Sequence, residues 1–162
     1  DGILDEKGKV RPFIFEGMER GVIYDVGHGT ESFGFKTYEE ATKQGVTFST
    51  ISSDIYRRNR ANGPVYDLAT TMTKFLVMGM DKAEIINKVT KNAAEAFNLK
   101  GLGEIKVGNI ADFTFFKIID GEKVVVDSTG EKRIAKQYFQ PIAVYLKEEF
   151  IDISDFIEGK ED

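Results

Sequence analysis

Asp54 and His28 are the two side chains of this sequence whose positions invite chemistry. Asp54 closes the stretch Thr50-Ile51-Ser52-Ser53-Asp54, which follows the glycine-led, β-branched and aromatic run Gly45-Val46-Thr47-Phe48-Ser49. Together they read as a buried strand that ends on an acid. In parallel α/β folds ligands sit beyond the carboxyl ends of the strands, so a carboxylate at that point faces the site. The same aspartate has a plainer use, as the cap of the next turn. His28 lies in Gly27-His28-Gly29 at the end of the preceding strand, one βα unit earlier, where the glycines allow a sharp turn and leave the imidazole exposed at the same mouth. Its plainer use is a histidine held by backbone hydrogen bonds in a tight turn. A dinucleotide loop is a poor fit, because the third glycine of G-x-G-x-x-G would fall on Ser32.

Two further stretches border that mouth. Tyr56-Arg57-Arg58-Asn59-Arg60 can close over it and hold an anionic group, since guanidinium pairs with carboxylate through two parallel hydrogen bonds; the alternative is a solvated loop. Asn62-Gly63-Pro64 is a turn that brings Tyr66 and Asp67 to a helix start. Arg57, Gly63 and His28 are accordingly the candidate substrate contacts.

These residues need elements to hold them. Pro12 suits a first helical turn, for a helix Phe13 to Arg20 stopped by Gly21. Val22 to Val26 reads as a short strand buried on both faces, with Asp25 needing a donor. Thr37 and Glu40 form a capping box for a helix Tyr38 to Gln44. Ile55 to Gly63 reads as a polar loop. Asp67 caps a helix Leu68 to Met78, with Leu68, Met72, Phe75 and Leu76 on one side; Asp81 caps the next, with Ile85, Ile86 and Val89 facing inward. A short helix Ala93 to Phe97 follows, and Gly101 and Gly103 end the helical part.

The pattern then turns to strands: Asp112 to Ile118, Lys123 to Asp127, Ile134 to Phe139, and Ile142 to Lys147 joined through Glu148-Glu149 to Phe150 to Ile153. Ser128 to Glu131 is a turn, and Phe113, Phe115 and Phe116 read as core or sheet-face packing. Glu158 to Asp162 reads as a frayed end. Alternating helices and strands followed by strands alone make the chain α/β, with residues 1–98 and 99–162 as its two parts.

Composition narrows the function classes. The 162 residues are 41% hydrophobic and 30% charged, which suits a folded domain rather than a disordered one. A net charge of −5 argues against nucleic-acid or anionic-membrane partners, and no apolar run is long enough to span a membrane. Without cysteine there is neither a disulfide nor a thiolate metal site, and a cytoplasmic location fits. One histidine cannot complete a histidine-built metal site. The opening Asp-Gly-Ile-Leu-Asp-Glu-Lys-Gly-Lys, without methionine, reads as the middle of a loop, as in a piece of a larger protein.

Taken together, Asp25-Val26-Gly27-His28-Gly29 with Ser32-Phe33, Ile51-Ser52-Ser53-Asp54 and Asn62-Gly63-Pro64-Val65-Tyr66-Asp67-Leu68 resemble the C-terminal half of the amidohydrolase superfamily. The nearest group is the deacetylase-like metallohydrolases related to dihydroorotase and hydantoinase, sometimes labelled adenine deaminases. Val89-Thr90-Lys91-Asn92-Ala93-Ala94 and Gly103-Glu104-Ile105-Lys106-Val107-Gly108-Asn109-Ile110-Ala111-Asp112 add to the resemblance, which runs to about Phe116.

The resemblance implies the last two βα units of a (β/α)8 TIM-like barrel (residues 1–98) followed by part of a small β-sandwich domain (99–162). It also implies one or two divalent metals, usually zinc. Asp54 matches the eighth-strand aspartate, a metal ligand and the base that takes a proton from the attacking water. His28 falls at the seventh strand, as a substrate-pocket candidate. The remaining ligands, a His-x-His, a carboxylated lysine and two further histidines, would lie upstream of Asp1. This piece therefore cannot close a barrel alone, and the missing N-terminal half or a second copy is its implied partner. The implied reaction is hydrolysis of a C–N bond in a small amide, N-acyl or cyclic amide. Deamination of a nucleobase such as adenine is the alternative within enzymes, and a non-catalytic scaffold piece the alternative outside them.

Overall fold

The computed structural model describes residues 2–153. The expected frayed end, Glu158 to Asp162, lies outside the described residues. Helix α1 (Pro12–Glu19) starts on Pro12, whose missing N–H costs nothing at a first turn. Strand β1 is only Asp25–Gly27. The expectation of a strand from Val22 buried on both faces is corrected: Val22 and Ile23 are exposed, and Val26 alone of the run is buried. Helix α2 (Phe35–Lys43) and strand β2 (Thr50–Ser52) follow. β1 and β2 pair in parallel, Asp25 opposite Thr50 and Gly27 opposite Ser52.

Two local expectations fail here. Thr37 caps nothing, because α2 starts earlier, after Gly34, with no cap from the chain next to it. Its first amide is satisfied from far away: Phe35 N–H donates to Asp127 Oδ2 at 2.8 Å. Residues 57–62 are not loop but helix α3 (Arg57–Asn62). Asn59 makes it possible, since its buried carboxamide accepts the Tyr56 amide at 2.8 Å and donates to Asp54 O at 3.0 Å.

Helix α4 (Leu68–Val77) is capped by Asp67, which accepts the Thr70 amide, and α5 (Lys82–Val89) by Asp81, which accepts the amides of Ala83 and Glu84. Both caps follow the local rule that a short acid ahead of an apolar stripe takes the orphan amides of the first turn. Helix α6 (Lys91–Ala96) completes the helical part.

The expected separate strands beyond residue 112 merge into two long ones. β3 (Phe113–Val126) and β4 (Lys132–Leu146) pair antiparallel, and β5 (Glu149–Asp152) adds to the β4 edge. Pro141 does not break β4, because it sits at a register shift opposite Phe116, where a missing donor is tolerated. Ile105, Val107 and Ile110 lie outside any strand and are exposed.

One core joins the parallel pair to the antiparallel sheet. Val26 of β1 and Ile51 of β2 are buried with Phe33, Phe35, Met72, Phe75, Ile85, Val125 and Phe139. Helix α4 is its centre: every residue from Ala69 to Phe75 is buried, and the Phe139 amide of β4 donates to Thr73 Oγ1 at 3.2 Å. A smaller cluster of Val10, Ile14, Ala41 and Val46 ties α1 to α2. No described helix is long and apolar enough to cross a membrane.

Candidate active site

The pleat of the parallel pair sorts its side chains. Val26 and Ile51 point into the core, so Asp25, Gly27, Thr50 and Ser52 face the other way. Asp25 is exposed rather than buried, and it has its donors: Thr50 Oγ1 donates to one carboxylate oxygen at 2.6 Å and Ser52 Oγ to the other at 2.5 Å. Gly27 lies on this polar face, where a Cβ would make ordinary contact, 3.5 Å from both Asp25 Oδ2 and Ser52 Oγ.

Pairing continues past the ends of the two strands. His28 N–H donates to Ser52 O and Gly29 N–H to Ser53 O, each at 3.2 Å, which carries the ladder up to Asp54. Asp54 is exposed at the strand tip with a left-handed φ of 46°. Its backbone carbonyl is held by Asn59, while among the described residues no hydrogen bond or ion pair takes up its carboxylate. It does not cap the next helix, whose N-cap is Tyr56. The carboxylate lies over Gly29: a Cβ on that glycine would stand 2.6 Å from Asp54 Oδ2. Thr30 Oγ1 and the Tyr56 hydroxyl meet at 2.5 Å and join the two tip loops across the mouth.

His28 is not exposed there, and the expected open imidazole is corrected. The ring is fully buried beside Phe33, with centroids 4.9 Å apart. Its Nδ1 lies 2.8 Å from Gly29 O and its Nε2 lies 2.6 Å from Lys74 Nζ. Burial, with the Lys74 charge, pushes its pKa down to about 4, so it is neutral at pH 7. The plainer use of His28, a histidine bonded to backbone in a tight turn, describes half of what it does. Arg57 is exposed on the first turn of α3 and, among the described residues, makes no ion pair. Gly63 has φ 73°, and a Cβ there would stand 2.5 Å from the Tyr66 ring, so this turn requires glycine.

Lys74 is the residue that sequence reasoning missed. It is fully buried, and its ammonium donates to Pro64 O at 2.6 Å as well as to His28. Burial lowers its pKa to about 8, partly offset by the charges of Asp127 and Asp67. The available signal was the three threonines at 70, 71 and 73, short side chains that suit a helix covered on both sides.

Among the described residues no group of three or more His, Asp or Glu side chains can hold a metal. Asp54 fits one ligand position, being an open carboxylate on a rigid strand tip; the rest of a donor set is not in the described residues. Two surface hollows, one beside Lys36 and Glu40 and one beside Lys91 and Asn98, do not include Asp54 in their walls.

The Asp54 carboxylate lies beyond the carboxyl ends of a parallel pair, the edge at which α/β folds bind ligands. A Deacetylase-like composite domain family matches residues 105–144. Over 94% of its length the chain is 46% identical to a deacetylase of Enterococcus faecalis, and it spans 42% of that relative. The crystal structure of an adenine deaminase superposes with a TM-score of 0.88 at 47% identity, covering 93% of this chain and 41% of that one. A dihydroorotase structure gives 0.75 at 36% identity, covering 85% and 38%. The chain belongs with the deacetylase-like members of the amidohydrolase superfamily.

Proposed function

We propose that this chain supplies the Asp54 edge of a metal-dependent hydrolase that cleaves the C–N bond of an amide, N-acyl or cyclic amide substrate. The observation that carries this reading is the Asp54 carboxylate, open, unpartnered among the described residues and placed at a strand tip against Gly29. A divalent ion, zinc by preference, supplies Lewis acidity that makes water acidic near neutral pH. Asp54 would be one ligand of that ion and the proton carrier, accepting a proton from the attacking water and returning it to the departing nitrogen. Arg57, exposed and free of ion pairs among the described residues, would hold an anionic end of the substrate, and Gly63 would seat the Tyr66 ring beside it. His28 would shape the pocket from behind, through Gly29.

The parallel β1–β2 pair and its helices would form the last two units of a (β/α)8 barrel in residues 1–98, with 99–162 as strands of a small β domain. The remaining ligands would come from the length that the relatives have beyond the part matched. A second reading, deamination of adenine, is favoured by the similarity to the adenine deaminase structure and uses the same carboxylate.

The test is an assay of a longer polypeptide that carries this chain with the additional length of its relatives. N-acetyl amino acids, dihydroorotate and adenine are the substrates, before and after chelation. Release of acetate or ring opening, lost on chelation and restored by zinc, supports the hydrolase; ammonia from adenine alone supports the second reading. Turnover indifferent to chelation refutes both.

A further inference from the structure

We propose that Lys74 is a positioning residue for Asp54, acting through His28 and Gly29, and this rests on the role just given to Asp54. Two loops meet at the Lys74 ammonium. It donates to Pro64 O in the turn after α3 and to His28 Nε2 at the tip of β1. An ammonium only donates, so Nε2 must accept and the ring proton must sit on Nδ1. The Nδ1–H in turn donates to Gly29 O at 2.8 Å, and Gly29 is the residue over which the Asp54 carboxylate lies. From the other side, the Tyr66 amide donates to Asn59 O at 3.1 Å, and Asn59 holds the Asp54 carbonyl.

Both supports of Asp54 thus end in groups that Lys74 touches or whose loop it ties down. The lysine itself is fixed, because Ala69 to Phe75 are buried along the whole of its helix. A lysine removed from water needs a return, and nothing in the packing of α4 requires an ammonium where a methionine would fill the volume. Giving Nε2 a donor, and so holding the ring and the height of Gly29 under the carboxylate, is a task that methionine cannot do.

The test has two arms. In the longer polypeptide the imidazole nitrogen NMR signals that vanish in His28→Leu belong to His28. At pH 7 they should show a neutral ring protonated on Nδ1, and Lys74→Met should shift the Nε2 resonance, which loses its donor. In the longer, active polypeptide Lys74→Met should lower kcat by about 10²-fold with KM changed less than about threefold, the effect of misplacing a reacting group by about 1 Å. If Lys74→Met does not fold, His28→Leu reads the same link: leucine neither accepts from Lys74 nor donates to Gly29 O, and the same loss in kcat is expected.

A ring protonated on Nε2 or charged at pH 7 overturns the proposal. So does wild-type kcat in the Lys74 or His28 variant beside an inactive Asp54→Asn enzyme, which leaves the role of Asp54 standing. An active Asp54→Asn enzyme overturns that role and the Lys74 proposal with it.

Discussion

The Asp127 carboxylate caps a helix that begins 92 residues before it, taking the Phe35 amide on Oδ2 at 2.8 Å. Its other oxygen gathers the Thr129 amide, the Thr129 hydroxyl and the Glu131 amide at 2.8 to 2.9 Å. Ser128 seals the same junction, its amide and hydroxyl both donating to Phe33 O. Arg133 stacks on Phe35 at 4.4 Å and pairs with Glu39 and Glu131. The β3–β4 turn is therefore the cap of α2. Asp127→Ala should cost about 2 kcal/mol of stability, the usual loss for a buried, charge-assisted cap, and Asp127→Asn less. Urea midpoints measure it; an unchanged midpoint in the alanine variant would show that the cap is dispensable.

Gly29→Ala separates function from folding. The new Cβ would meet Asp54 Oδ2 at 2.6 Å, and the φ of +52° is one an alanine adopts at a cost of about 1 kcal/mol. Because the struck atom ends a short exposed side chain, the carboxylate swings away rather than the backbone. Stability should fall by only about that amount, while turnover of the longer polypeptide drops at least about tenfold. Equal losses in both, or none in turnover, would contradict the placement of Asp54 over Gly29.

His28 makes the fold sensitive to mild acid. Its pKa is about 4 folded against 6.5 ordinarily, so between those values the unfolded chain binds the extra proton. Stability is full above pH 6.5 and is lost as pH falls toward 4, by on the order of 2 to 3 kcal/mol. The drop measured by urea unfolding between pH 7 and pH 4.5 should shrink by about 2 kcal/mol in His28→Gln. Asp127 acts lower: burial raises its carboxyl, but the amides and hydroxyl around it outweigh that and hold it below the usual range. Its contribution is present above the ordinary value and lost as pH falls through the folded one. Lys74 acts in the same direction at higher pH, stability rising between about 8 and 10.5 as the folded lysine sheds its proton first.

What the sequence made legible was local. Asp67 and Asp81 are legible as caps because a cap needs only its own helix. Of the apolar face behind Asp67, Met72, Phe75 and Leu76 join the core while Leu68 is exposed. The strand tips at Gly27 and Asp54 were likewise read from glycine and β-branched runs. Distance hid the rest. No neighbour of Phe35 announces that Asp127 starts its helix, so Thr37 looked like the cap. Helix α3 has no apolar stripe, only a buried Asn59 whose partners are the loop ends, so Arg57–Asn62 looked like loop. For Lys74 the local sign is only the short threonines at 70, 71 and 73, and His28 reads as open because its partner is 46 residues away.

The role of Asp54 is tested most directly by Asp54→Asn in the longer polypeptide, which keeps the shape of the side chain but removes its charge and its capacity to carry the proton. Turnover should fall by about 10²- to 10⁴-fold with less metal retained and the circular dichroism unchanged. Turnover within a few-fold of the unmodified enzyme, at full metal content, would contradict it.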